Sequence, residues 1–195
     1  MKHPLQFDHP FVHFAQDVTK NLLVKEALMR LQRQHALNIN LILYGLWYGL
    51  NQRGRLLKQD IKALLQSIHP WHERVLLALK RLGDRLPALH ELIHTEIQTA
   101  ENIERQLIAD TLFKLNFQKR NPAQQLSDAC HNVANYHKIM NTHVDPQDQQ
   151  AIIDLLQAAF PNLIAAEITD ACESSLGPAA SQPSGHYSQL PLGDL

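Results

Sequence analysis

Apolar residues recur at intervals of three and four along most of the chain, the spacing that lays one apolar stripe down an α-helix. That period predicts helices at about 9–19, 21–35, 39–52, 56–67, 70–86, 88–117, 122–142, 146–159 and 161–173. Pro10, Pro70, Pro122, Pro146 and Pro161 each open an apolar-periodic stretch, where a missing N–H costs no helical hydrogen bond. Asn121-Pro122 and Asp145-Pro146 are the sharpest of these boundaries, because Asn or Asp can cap the free amides while Pro takes the first helical position. Glycine is scarce before the last stretch and Leu far outnumbers Val, a balance that favours helices over strands. The expected fold is all-α, a compact multi-helix bundle, and the absence of a fixed repeat sets a solenoid aside. From Ser174 the sequence SSLGPAASQPSGHYSQLPLGDL loses its apolar period, so residues 174–195 read as a disordered C-terminal tail.

Within this pattern, NINLILYGLWYGLNQRGR at 38–55 is apolar around almost its whole circumference, as a helix at the centre of a bundle must be. Gly45 and Gly49 share one face, a small-xxx-small pair that lets another backbone approach closely. That face could pack a neighbouring helix or a second copy, making a homo-dimer or scaffold one candidate. Tyr44, Trp47 and Tyr48 are expected to pack in the core, and are candidates for a partner-binding aromatic surface beside it.

The Phe11/Phe14 segment, the Leu-rich helix ending RQHALNIN, the NINLILYGLWYGL helix and HPWHERVLLALKRL together resemble a small proteobacterial family, domain of unknown function 2390, over about residues 7–117. The resemblance implies an intracellular, all-helical bacterial protein and transfers no activity, ligand or catalytic residue. The region after Lys119 lies beyond it.

Charge divides the chain at the same place. Residues 1–120 hold 17 Lys and Arg against 11 Asp and Glu, a net +6; residues 121–195 hold Lys138 against eight acids, a net −7, and the sum is the overall −1. The organisation this suggests is a basic helical domain at 1–120, an acidic helical extension at 121–173 that packs on it, and the tail. The acidic helices could neutralise the basic ones, or could regulate access of an anionic partner. No apolar run approaches the ~20 residues of a membrane span, and no cationic segment with a cleavage site opens the chain, so the expected location is the cytoplasm. Cys130 and Cys172 read as reduced thiols without a metal-site spacing.

The candidate chemistry is thin. Arg74, Arg81 and Arg85 project along one side of the helix at 70–86, a basic amphipathic face that could meet an acidic protein or, less well supported without a helix-turn-helix, nucleic acid. His90 and His94, at i and i+4, could meet one metal ion, but Glu101 is about 10 Å further along the axis, and a third ligand would have to come from His69 or His72. Glu96 and Glu104 point within about 40° of the apolar stripe of their helix, so they should be core-edge carboxylates, paired with Arg74 or Arg81 or tuned for proton transfer. G-x-S-x-G, G-x-G-x-x-G and GxxxxGK[ST] are all absent, which argues against the common hydrolases, dinucleotide enzymes and P-loop nucleotidases. The sequence therefore points to a non-catalytic protein without a cofactor that binds a partner protein or other anionic macromolecule. The alternatives are a small metal- or ligand-binding bundle using His90 and His94, and a homo-oligomeric scaffold.

Overall fold

A computed structural model describes residues 7–112 and 117–177, and every regular element among these residues is helical. In chain order the helices are α1 (Pro10–Val18), α2 (Leu22–His35), α3 (Ile39–Leu50), α4 (Lys58–Trp71), α5 (Leu77–Arg85), α6 (His90–Thr111), α7 (Pro122–Ile139), α8 (Pro146–Ala159) and α9 (Ala165–Leu176). Side-chain caps start several of them. Asn21 and Asn38 accept from the first-turn amides of α2 and α3, while Asn121/Gln124 and Asp145/Asp148 form reciprocal capping boxes with proline at the first helical position.

Three boundaries depart from the sequence expectation. Pro70 does not start a helix; it lies inside one rod that runs from α4 into α5 through a π-helical turn at His72–Leu76, where the Leu77 amide donates to the His72 carbonyl. A wide turn immediately after a proline relieves the ladder that the ring interrupts. Pro161 likewise precedes a loop, and α9 begins at Ala165. The helix also continues past Ser174 to Leu176, because Ser175 is buried with its Oγ 3.1 Å from His131 Nδ1; the rest of the proposed tail, 178–195, lies outside the described residues.

Helix α3 is the axis of the molecule. Its residues Asn40 to Gly49 are all buried, between α1, α2 and α6 on one side and α7 on the other, with α8 laid along α2 and α9 across α7 and α8. Buried side chains from before and after residue 120 form one continuous core, from Phe11 and Leu28 through Ile42 and Leu46 to Val133, Ile152 and Ile168. A Cβ on Gly49 would lie 2.4 Å from the Ala129 amide nitrogen and 2.7 Å from its Cα, so the two backbones touch there. The Gly45/Gly49 face is thus covered by α7 of the same chain, which removes it as a surface for a second copy. By contrast α5 has no buried residue: with the first turns of α6 it forms an arm that stands off the core and exposes Leu82, Leu86, Leu89 and Leu92. No helix among the described residues is long and apolar enough to cross a membrane.

Candidate functional site

A heavily built polar site in the core surrounds Glu104. This carboxylate is 0% exposed, and both its oxygens are engaged. Oε2 accepts from Asn40 Nδ2 at 2.6 Å and Asn38 Nδ2 at 3.2 Å, and Oε1 lies 2.7 Å from His72 Nδ1. The Asn38 amide orientation is fixed because its Oδ1 caps α3, accepting from the Asn40 and Leu41 amides. Tyr136 of α7 closes the cluster by accepting from the Asn38 N–H at 2.9 Å, and burial pushes its hydroxyl up to about 12. The π turn delivers His72: it sets the imidazole on α6 while Trp71 donates to the Ala100 carbonyl. Glu104 is therefore a tie joining α3, α6 and the α4–α5 rod, with both oxygens engaged and closed to water. The partner of this carboxylate is His72 and two asparagines, not Arg74 or Arg81; Glu96 is exposed.

The neighbouring residue carries the polarity out to the surface. Arg105, itself buried, donates from Nε to Asn40 Oδ1 at 2.9 Å and from Nη1 to Asn102 Oδ1 at 2.9 Å. Burial lowers its pKa, with Glu101 and Glu104 acting in the other direction. Its guanidinium forms part of the floor of a groove between α1 and α2 on one side and the arm and α6 on the other. Two adjoining depressions of about 550 and 470 Å³ share Met29, His94 and Ile97 in their walls. Apolar lining comes from Leu28, Met29, Ile39, Ile93 and Ile97. Lys20, Lys25, Arg33, Lys80 and Arg105 supply five cations against two carboxylates, Asp84 and Glu101. Lys80 takes up Glu101 at 3.0 Å and Lys20 takes up Asp17 at 2.7 Å, whereas Lys25 and Arg33 meet no carboxylate among the described residues.

A second buried cluster lies against the C-terminal half of α2. Asp148, 0% exposed, accepts from Arg30 Nε at 3.1 Å and lies 2.7 Å from His35 Nε2, and Arg30 reaches Asp145 as well. The His35 ring stands edge-on to His137 at 5.7 Å. Burial, with His35 adding to it, pushes His137 down to about 4.

The sequence candidates fall in three places. Tyr44, Trp47 and Tyr48 are packed against Phe11 and one another inside the core, so they offer no partner-binding surface. Arg74, Arg81 and Arg85 are exposed, but α5 contributes Lys80, Gly83 and Asp84 to the groove in their stead. His94 lines the groove with Gln98 Nε2 3.0 Å from its Nε2, while the side chain of His90 lies outside the described residues. Among the described residues no three His, Cys, Asp or Glu stand close enough to hold a metal ion. The groove was missed because its cations, Lys20, Lys25, Arg33, Lys80 and Arg105, are scattered over three helices and the turn before α2. The signal for the Glu104 tie was present: Asn40 is a lone polar residue inside an otherwise apolar helix.

Fold and groove thus define an all-helical, single-core bundle with a basic, apolar-floored cleft. Residues 11–111, more than half of the chain, match the family model described as a protein of unknown function (DUF2390), and the chain belongs to that family. No curated protein and no solved structure matches it.

Proposed function

We propose that this chain is a non-catalytic binding module whose groove takes an acidic, amphipathic segment of a partner protein. The observation that carries this reading is the groove's lining: five cations against two carboxylates around an apolar strip of Leu28, Met29, Ile39 and Ile97. Such a surface complements a helix with apolar residues on one face and Asp or Glu beside them. Nucleic acid fits less well, since a phosphodiester backbone has no use for the apolar strip, and Met29 is 43% exposed within it.

The test is a photo-crosslinking residue placed at Met29, with a second at exposed Lys138 of α7 as control, in the cell of origin. The expected result is a discrete adduct from position 29 alone, attached to an acidic amphipathic protein segment, and lost on Lys25→Glu with Arg33→Glu. An adduct with nucleic acid, equal adducts from both positions, or no adduct at position 29 would overturn the reading.

A further inference from the structure

Resting on that reading, we infer that Arg105 is the specificity-determining anchor of the groove, receiving one carboxylate of the partner segment on its Nη2 edge between flanking apolar contacts. The geometry is unusual for a groove cation. A guanidinium has five N–H donors in a rigid plane. Two are already spent on Asn40 and Asn102, which hold the plane at fixed orientation, and Asn102 is itself held by Gln16 Nε2 at 3.2 Å. The Nη2 edge keeps its donors: the nearest carboxylate oxygen, on Glu101, is 3.8 Å away, too far for a hydrogen bond, and Glu101 is turned to Lys80 at 3.0 Å.

Only 8% of this side chain is exposed, so a carboxylate that reaches it exchanges water for a charge-assisted bond at the base of an apolar strip, where screening is weak. Because the asparagines have already ordered the fork, little side-chain entropy is lost on docking. Lys20, Lys25 and Arg33, at the rim and in water, can steer an acidic segment but cannot choose among acidic sequences. Arg105 can, because it demands a carboxylate at one place relative to the apolar residues that sit on Met29 and Ile97. Asp and Glu would be accepted there, and Asn or Gln, which offer a neutral acceptor, would bind more weakly.

The probe is a random 12-residue displayed peptide library panned against the full chain, followed by synthesis of the enriched peptide and its twin carrying Asn or Gln at each acid in turn. The enriched peptides are expected to share one acid at fixed spacing from Leu, Ile, Phe or Trp. Replacing that acid should weaken binding tenfold or more, and replacing the others should have smaller effects that fade with salt. Arg105→Lys, which keeps the charge and loses the fork, should abolish the preference for that acid while leaving apolar contacts. In case this variant does not fold, arginine side-chain N–H resonances of the wild-type chain are followed during peptide titration, and Arg105 should shift most.

Peptides that are acidic and blocked by Met29→Glu, yet indifferent to Arg105→Lys and silent at the Arg105 resonance, would overturn the anchor and leave the groove standing. Peptides indifferent to Met29→Glu, or none enriched at all, would overturn both.

Discussion

Gly45 and Gly49 differ in what stands opposite them, and alanine at each should show it. At Gly49 the added Cβ would lie 2.4 Å, 2.7 Å and 2.9 Å from the N, Cα and Cβ of Ala129. Contact between carbons needs about 3.5 Å or more, so α3 and α7 would have to separate locally, and the obstacle is backbone that no rotamer change can move. Alanine in a helix interior gains roughly 0.5–1 kcal/mol over glycine, and overpacking costs typically 1–3 kcal/mol and occasionally more. With the clash at the central helix pair, the upper part of that range applies and Gly49→Ala should lose about 2 kcal/mol net. At Gly45 the nearest atom is Asn132 Cβ at 3.3 Å. A shift of a few tenths of an ångström suffices there, although Asn132 is tied to the Gly45 and Gly54 carbonyls and the Leu56 amide, so the net change should stay within about 1 kcal/mol of zero. Urea unfolding followed by tryptophan fluorescence and circular dichroism measures both. On heating, a 2 kcal/mol loss in a chain of this length lowers Tm by about 4–8 °C. Equal stability of the two variants, or a Gly49→Ala protein as stable as wild type, would refute the close approach of α3 and α7.

Three further outcomes are expected. His137 titrates near 4 in the folded chain against 6.5 unfolded, so the unfolded state binds the extra proton and stability falls as pH drops from 6.5 to 4. The loss totals about 3 kcal/mol at 1.36 kcal/mol per unit, and His137→Leu should flatten that limb of the pH–stability curve; an unchanged slope sinks the assignment. Glu104→Leu strands the Asn38, Asn40 and His72 donors in the core and should cost about 3–5 kcal/mol, a value read from denaturant midpoints, with a loss under about 1 kcal/mol counting against the tie. A fragment of residues 1–120 lacks α7, α8 and α9, leaving bare the side of α3 that α7 covers. It should show no cooperative unfolding and a poorly dispersed amide spectrum, whereas a sharp transition would mean that the family-matched region folds alone.

The helices were legible because each apolar stripe is local, and the Asn121 and Asp145 starts because cap and proline sit side by side in sequence. Pro70 misled for a related reason: a proline reads as a start wherever a stripe follows it, and the contacts that seat the continuous rod on α6, His72 with Glu104 and Trp71 with the Ala100 carbonyl, span 32 and 29 residues of sequence. Glu104 was legible as a core-facing carboxylate from its wheel position. Its partners were not, because Asn38 and Asn40 lie on another helix and are drawn to it by the cap and by burial. Glu96 shares the same wheel sector two turns earlier, but there α6 has left the core for the arm, so the same phase meets water.

The charge asymmetry of the chain acquires a direction in space. Arg30 meets Asp145 and Asp148, and Arg55 and Arg120 meet Asp128, so the acids of the C-terminal helices neutralise cations on the sides of the molecule they cover. The groove cations lie elsewhere: what opposes Lys20, Lys80 and Arg105 comes from Asp17 and Glu101 of the basic part, and Lys25 and Arg33 meet no acid among the described residues. Neutralisation is thus spent at the seams of the core, and the positive excess is left around the groove, where Met29 is exposed. Exposed cations are screened within about 8–10 Å at ordinary salt, so an acidic partner attracted to this face should associate faster at low salt. Its dissociation should depend mainly on the apolar floor and on Arg105. A partner held by charge alone would lose both on- and off-rate control with salt, and that contrast in the salt dependence of the two rates separates an apolar-floored docking groove from a merely basic surface.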